Sequence, residues 1–378
     1  MMMLYSIILG ALIIWRVIVP LKLSVKWKIV TSGIVALVAL KFYIMRLFGG
    51  ELFFTPDAPG WVLLPVTWLF VVMIFFAIWV IGWEVLVLIV RAIAGVRKKK
   101  LPAVFTGVKW KLYGLVPVIL LVSIGMYNGL KTPDVVEYEI VIKDLPRAVD
   151  GLKIAHLSDI HADPFTTEEK VRRIVELTNE QGADLVVITG DFVDGRIGVR
   201  GEDLEPLRKL NAPMGVFGVP GNHEYYSGYA PWVDFIRGCG VRMLENSHVI
   251  LGNGEIALGG VTDPAAKHRG GDLPDINRAF SGAPEHRLKI LLAHQPKLAK
   301  QAAQHGVDLQ LSGHTHGGMI YGMDLLVGIF NQGFVSGTYD VDGMKLHISN
   351  GTGIWNGFPV RFGHPSEIVL ITLKAEQP

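Results

Sequence analysis

The feature that most restricts the fold is a set of long apolar stretches in the first third of the chain. A helix needs about 20 apolar residues to cross the hydrocarbon core of a membrane. Four stretches approach or exceed that length, at about 3–21, 29–48, 61–90 and 112–130. Soluble core helices are seldom so apolar for so long, so residues 1–131 are predicted to form four transmembrane helices. The third stretch must tilt, kink near Pro65 or extend beyond the bilayer.

Basic residues in the connections predict the orientation of these helices. The second connection, around Glu51 and Asp57, has no Lys or Arg between Gly49 and Gly60. The first and third connections are basic through Lys22, Lys26, Lys28, Arg91, Arg97, Lys98, Lys99, Lys100, Lys109 and Lys111. Because positive loops stay in the cytoplasm, we expect the first and third connections to be cytoplasmic in a multi-pass cell-membrane protein. Its large C-terminal region would then face outward, to the periplasm or the exterior.

Overall composition bears on two questions, whether the chain binds nucleic acid and whether it contains a disulfide bond. The chain of 378 residues has a formal net charge of +2, which gives no argument for binding nucleic acid. The single cysteine, Cys239, excludes an internal disulfide, and we expect it to be a small packing residue. Because the net charge is close to neutral, no nucleic-acid partner is predicted.

The region after the apolar stretches is predicted to be one domain, residues 150–378, joined by a connector at 132–149. Within the connector, Val135 to Ile142 alternates as a strand does. Strands alternate with helices early in the domain and dominate later. This order favours an α/β fold with mixed sheets.

Polar clusters follow several of the predicted strands of this domain. They are Asp159 with His161, Asp191 with Asp194, Asn222 with His223, His294 alone, and His314 with His316. Open α/β sheets bind ligands at the carboxyl ends of their strands. Any one of these side chains could instead cap a helix or satisfy a loop, but together they predict a single cleft.

The residue types in these clusters are typical of a site for divalent cations. Imidazole suits Zn and Fe, whereas carboxylate and amide oxygens suit Mn and Mg. The absence of thiolates argues against a structural zinc site of the cysteine type. A short carboxylate such as Asp191 could bridge two ions, and two ions roughly 3.5–4 Å apart can hold a bridging hydroxide and clamp phosphate oxygens.

Five short motifs in order then resemble a known family. DIH, GDFVD, GNHE, the histidine of LLAHQP, and GHTH are similar to the motifs of the calcineurin-like metallophosphoesterases, over about residues 150–373. The later stretch SNGTGIWNGFPVRFG is similar to the membrane-anchored bacterial branch. The resemblance implies two mixed β-sheets packed face to face and flanked by helices, and a hydrolase with two metal ions.

The resemblance also implies a role for each residue. Asp159, His161 and His316 would bind one divalent ion, and Asp191 would bridge to a second (Mn, Fe, Zn or similar). Asn222, His294 and His314 would complete the second site. His223 would act near the scissile phosphate, stabilising charge or protonating the leaving oxygen, and Asp194 would orient it.

Two further residues are candidates for contact with substrate. Arg361 could supply a bidentate donor to a phosphate, although a packing or surface role fits the sequence equally well. Tyr225, with Tyr226 beside it, could line the cleft.

The function expected from the sequence is hydrolysis of a phosphomonoester, phosphodiester or pyrophosphate bond beside a membrane, by attack of a metal-bridging hydroxide. One alternative is a lipid-directed hydrolase whose substrate is a nucleotide-linked or lipid-linked phosphate, such as an acylated sugar nucleotide. A second alternative is a non-enzymatic metal-binding membrane scaffold. The expected partners are a phosphorylated substrate and the lipid bilayer, and the oligomeric state is left open.

Overall fold

The structure is a computed structural model that describes residues 2–49, 56–98, 100, 102–105, 107–284 and 287–376. Contacts between residues divide the chain into two compact units, Met1–Tyr127 and Asn128–Pro378. Each unit is described below by itself.

The first unit is helical. Its helices are α1 (Met2–Ile13), α2 (Val25–Ala39), α3 (Lys41–Gly49), α4 (Gly60–Val96), α5 (Val108–Tyr113) and α6 (Leu115–Leu130), the last of which ends in the second unit. A short π-helical turn, Ile14–Ile18, extends α1. Pro65 lies in the second turn of α4 without ending the helix.

Fewer helices than expected are long enough to cross a membrane. Within the described residues, two qualify by length and apolarity, Gly60–Val96 and Val108–Leu130. The predicted second span is bent by 64° between Val25–Ala39 and Lys41–Leu47, and counts as a third only if the pair is one span. The first stretch forms the shorter apolar helix Met3–Ile18. The expectation of four full spans therefore differs from the structure, because apolar composition does not show where a helix bends or stops. Glu51 and Lys99, used in the orientation argument, lie outside the described residues.

Three charged residues of the apolar helices pair with one another. The carboxylate of Glu84 lies 2.5 Å from both the Arg16 guanidinium and the Lys111 ammonium. Such pairing offsets the cost of holding charge in apolar surroundings. These three residues therefore have a structural explanation.

The second unit contains twelve strands in the described residues, arranged as two six-stranded sheets. The first sheet has the order β1-β12-β2-β3-β4-β5, and the second has the order β10-β11-β9-β8-β7-β6. The strands are β1 (Asp134–Ile142), β2 (Lys153–Leu157), β3 (Leu185–Ile188), β4 (Val216–Gly218), β5 (Arg242–Met243), β6 (Ser247–Leu251), β7 (Ile256–Gly260), β8 (Leu288–Leu292), β9 (Leu309–Ser312), β10 (Gly337–Val341), β11 (Met344–Ile348) and β12 (Glu367–Ala375).

Both sheets are mixed. In the first sheet β2, β3, β4 and β5 run parallel, whereas β12 is antiparallel to β2. In the second sheet β7, β8, β9 and β11 run parallel, with β6 and β10 antiparallel at the two edges. Strand β1 lies within the predicted connector, yet it pairs along its whole length with β12 and belongs to the first sheet.

The main core lies between the two sheets. Ile154, Leu185 and Val187 of the first sheet form one buried cluster with Ile290 and Leu309 of the second. A continuous apolar strand is expected where both faces of a sheet are covered, and helices cover the outer face of the first sheet. These helices include α7 (Glu168–Glu180), α8 (Ile197–Leu204) and α10 (Tyr229–Gly238). The predicted α/β fold with two mixed sheets is confirmed.

Short helices complete the second unit. They are α9 (Asn222–Ser227), α11 (Ile276–Ala279), α12 (Ala299–Gln304) and α13 (Met323–Phe330). Of these, α9 begins at a predicted site residue, and α13 closely follows the GHTHGG stretch.

Candidate metal centre

Five strands of the second unit each deliver polar side chains to the same region. The loops after β2, β3 and β4 carry Asp159 with His161, Asp191 with Asp194, and Asn222 with His223, and the loops after β8 and β9 carry His294, His314 and His316. Because β2, β3 and β4 are parallel neighbours, and so are β8 and β9, their carboxyl ends meet at one edge of the two sheets.

The backbone of these loops is unusual. Asp159, His161, Asp191, His314 and His316 all have a φ between 49° and 74°. Only a few per cent of non-glycine residues adopt this left-handed region. Such conformations cost of order 1–3 kcal/mol each and persist where the surroundings impose them, often at functional sites.

One group of side chains is centred on His161. The Nε2 atoms of His161 and His316 lie 3.1 Å apart. The Oδ1 atom of Asp159 lies 3.8 Å from His161 Nε2 and 3.5 Å from His316 Nε2. These three residues offer ligand atoms that all lie within 4.8 Å of one another, as a shared cation requires.

A second group is centred on His294. Its Nε2 atom lies 3.2 Å from Asp191 Oδ2, 3.1 Å from Asn222 Oδ1 and 3.3 Å from His314 Nδ1. Its other ring nitrogen, Nδ1, lies 2.7 Å from the carbonyl oxygen of Thr189. A donor at Nδ1 leaves Nε2 as the atom that can bind a cation.

Asp191 connects the two groups through one oxygen. Its Oδ2 atom lies 3.2 Å from His294 Nε2 in the second group and 3.8 Å from His161 Nε2 in the first. Its Oδ1 atom accepts a hydrogen bond of 2.9 Å from the backbone N–H of His223, which fixes the carboxylate. The position of Oδ2 is the one that a bridging ligand would need.

Asp194 contacts two histidines at once. One oxygen lies 3.1 Å from Nδ1 of His161, and the other is hydrogen-bonded to Nδ1 of His223. The Nε2 atom of His223 is directed toward the cleft and lies 3.9 Å from Asp191 Oδ2. The sequence predicted only the contact with His223, so Asp194 orients one more imidazole than expected.

The electrostatics of the site favour bound cations. Burial opposes ionisation of Asp159, but His316 and His161 hold the pKa of Asp159 well below its usual value. Burial likewise opposes ionisation of Asp191, and His294 and His223 keep its pKa low. Burial lowers the pKa of His316 to about 3, so this imidazole stays neutral and able to bind a metal. Burial also opposes protonation of His161 and His294, but Asp194 raises the pKa of His161, and Asp191 raises the pKa of His294 to about 10. Divalent cations bound between these groups would replace the positive charge that protons otherwise supply to the buried carboxylates.

Glu224 supports this arrangement, although no role was predicted for it. It is fully buried, and its carboxylate accepts hydrogen bonds from the backbone N–H groups of Gly221 and Phe192 at 2.7 Å and of Asp191 at 3.0 Å. It therefore joins the loop that carries Asp191 to the loop that carries Asn222. The only signal in the sequence was its place in the GNHE motif.

Arg361 is placed as the packing alternative of the sequence analysis expects, and not in the open cleft. Only 1% of it is exposed, and its guanidinium donates hydrogen bonds to four carbonyl oxygens. The acceptors are those of His316 (3.1 Å), His364 (2.9 Å), Asn350 (2.7 Å) and Gly353 (2.9 Å). The same guanidinium lies 3.2 Å from Nδ1 of His316. Arg361 thus holds the loop around His316, and contact with a phosphate would require these bonds to break.

Tyr225 also lies away from the open cleft. It is only 3% exposed and stacks on Tyr229 with ring centroids 4.2 Å apart. Its neighbour Tyr226 is 41% exposed, and its ring centroid lies 5.5 Å from that of His223. Successive residues of a helix point about 100° apart, so Tyr226 faces the cleft instead of Tyr225.

Comparisons with known proteins agree with this site. A family model described as calcineurin-like phosphoesterase matches residues 152–318. The chain is 35% identical to an uncharacterized metallophosphoesterase of Campylobacter jejuni, over 79% of this chain and 78% of the relative. It is 39% identical to an uncharacterized metallophosphoesterase of Helicobacter pylori, over 66% of each chain. It is 35% identical to a Danio rerio protein named as a transmembrane protein with metallophosphoesterase domain, over 69% of this chain and 62% of the relative. The chain thus spans slightly less than two thirds of the last two relatives.

Proposed function

This chain belongs to the calcineurin-like metallophosphoesterases, a family of phosphoester hydrolases, and on that premise we propose that it is a membrane-anchored phosphoesterase dependent on two divalent cations. The observation that carries the proposal is the position of Asp191 Oδ2 between the His161 group and the His294 group. A mononuclear site would need no carboxylate oxygen in that position. The substrate bond is a phosphomonoester, a phosphodiester or a pyrophosphate.

We assign the two cation sites by these contacts. Asp159, His161 and His316 would hold one cation, Asn222, His294 and His314 would hold the other, and Asp191 would contact both. Bound there, two divalent ions would activate water and neutralise phosphate oxygens. With two carboxylates among these ligands, the loaded site keeps a net positive charge, which suits an anionic phosphoester.

His223 is the proposed proton donor to the leaving oxygen. Its Nδ1 atom is hydrogen-bonded to Asp194, and its Nε2 atom lies 3.9 Å from Asp191 Oδ2, beside the proposed cation sites. Burial opposes protonation of His223, but Asp194 and Asp191 raise its pKa above the ordinary value. A histidine protonated near neutral pH can act as a general acid.

We propose further that the chain spans the cell membrane and that the metal centre faces outward. Support comes from the two long apolar helices, from the basic third connection, and from the Danio rerio relative named as a transmembrane protein. A cysteine at exposed Asp234, in a Cys239→Ala background, should react with an impermeant maleimide on intact cells. A cysteine at Lys109 should react only after permeabilisation, and the reverse pattern would place the site inside.

The activity is tested with purified full-length protein stripped of metal and reloaded with Mn²⁺. We expect hydrolysis of an aryl phosphomonoester or of a bis-aryl phosphodiester. Asp191→Asn should abolish turnover and reduce the bound Mn²⁺, whereas the matched control Asp234→Asn, on the exposed face of α10, should change neither. Turnover that survives in Asp191→Asn would refute the bridging role.

A further inference from the structure

Helix α13 presents an apolar face that the second unit does not cover. Leu325 is 75% exposed, Ile329 74% and Phe330 68%, and Tyr321, just before the helix, is 70% exposed. Within α13 the residue that is buried is Gly328. A contiguous apolar patch of this kind on a protein surface marks a site of interaction with a protein or a membrane.

This helix is fixed beside the metal centre. Gly318, two residues after His316, packs so tightly on α13 that a Cβ atom there would lie 2.5 Å from the Asp324 Cα. Ile320, which lies between Gly318 and α13, forms isolated β-bridges with Phe362 and Gly363. The apolar face of α13 therefore moves with the loop that carries His314 and His316.

The last residues of α6, from Asn128 on, belong to the second unit and lie against its residues 354–359. Gly129, in the last turn of α6, lies so near residues 354–359 that a Cβ atom there would be 2.7 Å from the Pro359 carbonyl oxygen. That segment continues to Phe362, whose carbonyl oxygen accepts the Tyr321 backbone N–H at 3.1 Å. Within the second unit, residues 354–363 therefore contact both Gly129 and the residues that lead into α13.

A segment with two exposed lysines approaches the other end of α13 through one backbone contact. Gln332, two residues after the helix, donates a hydrogen bond of 3.1 Å to the carbonyl oxygen of Lys297. Lys297 and Lys300 are both exposed. Ammonium groups beside an apolar helical face are typical of segments that lie in the membrane interface, where they meet anionic headgroups.

We propose that α13 is a membrane-docking surface, and that the partner of its apolar face is the lipid bilayer into which α6 inserts. Leu325, Ile329 and Phe330 would enter the acyl-chain boundary, with Lys297 and Lys300 at the headgroups. The docked helix holds the neighbouring cleft at the level of the headgroups, where a membrane-borne phosphoester would be presented. The inference rests on the proposed membrane anchoring and not on the proposed activity.

The test uses the full chain, with Cys239 replaced by alanine, in vesicles of phosphatidylcholine and phosphatidylglycerol. Single cysteines at Leu325 and Ile329 carry an environment-sensitive fluorophore, and lipids brominated near the top of the acyl chain act as quencher. Exposed Ile250, on the edge strand β6, is the matched control for the second unit. Ile124, exposed on α6, is the control for membrane anchoring.

Because an interfacial helix buries its apolar face roughly 5–10 Å into the boundary, positions 325 and 329 should lose about half of their emission, as position 124 does. Position 250 should lose about a tenth or less, since it would remain in water. Quenching at 124 without quenching at 325 and 329 overturns the docking surface alone. The absence of quenching at 124 overturns the anchoring as well.

A second copy of the chain is the competing occupant. In that case positions 325 and 329 would resist a water-soluble quencher without being quenched by brominated lipid, and energy transfer between labelled copies would rise with protein density. That result overturns the proposal. Hydrolysis of a soluble aryl phosphoester by the same labelled proteins reports separately on the proposed activity.

Discussion

Replacing Arg361 by lysine tests whether this residue positions His316 or contacts the substrate. The sequence alone could not distinguish these two roles. In the structure its two terminal nitrogens make five contacts, four with carbonyl oxygens and one with Nδ1 of His316. An ammonium group has three donors and no planar fork. Arg361→Lys therefore keeps the charge and loses at least two of the five contacts.

The magnitude follows from those lost contacts. Hydrogen bonds to charged groups contribute about 1.5–3 kcal/mol each, so two of them give an upper bound of about 3–6 kcal/mol on holding the loop. Only the part of this free energy that holds His316 in place affects metal binding. Loss of a group that orients a metal ligand typically costs 10- to 100-fold in affinity, or about 1.4–2.8 kcal/mol.

The assay is a Mn²⁺ titration of the metal-stripped protein, followed by kinetics with an aryl phosphoester. We expect Mn²⁺ affinity to fall about 10- to 100-fold, with KM near the wild-type value and kcat largely restored at saturating Mn²⁺. The control is Arg173→Lys on the exposed face of α7. If Mn²⁺ binding is unchanged and KM rises instead, Arg361 contacts the substrate and the positioning role is refuted.

Two other substitutions test the rest of the site. Asp194→Asn should lower kcat by about 10²- to 10⁴-fold. Because Asp194 raises the pKa of His223 against the effect of burial, the basic limb of the pH–rate profile should move to lower pH in this variant. A basic limb that does not move would argue against His223 as the general acid. Gly353→Ala places a Cβ atom 2.0 Å from the Ile160 carbonyl oxygen and should reduce both bound Mn²⁺ and activity. The control Gly238→Ala, with open space around its Cβ, should leave both unchanged. Metal analysis for Mn²⁺ and turnover measurements on the two variants check this.

Local patterns in the sequence were sufficient to predict the α/β fold and to locate the residues that the structure gathers at one sheet edge. Asp159, Asp191 and His294 each follow an apolar strand, and parallel strands bring their ends together by geometry alone. The assignment of individual ligands remains a prediction, which the contacts support. The roles of Glu224 and Arg361 were not predictable, because they include backbone partners that only the fold brings close, Asp191 and Phe192 for Glu224 and His316 for Arg361.

The membrane region was predicted less well for a related reason. Hydropathy reports how apolar a segment is, but the bend between α2 and α3 depends on local backbone geometry at Leu40. Likewise, the alternation of residues 135–142 predicted a strand but could not identify its partner. That partner, β12, is almost at the far end of the chain.

The pairing of β1 with β12 has a consequence for biosynthesis. Asp134 and its partner Glu367 are about 230 residues apart, and β1 has no other neighbour among the strands that the structure describes. At about 5–20 residues per second, a ribosome needs roughly 10–50 s to supply that partner. During this interval β1, which begins shortly after the end of α6, exposes an unpaired strand edge. The nascent chain is therefore exposed to mispairing at the segment that directly follows α6, and a chaperone acting there would protect it.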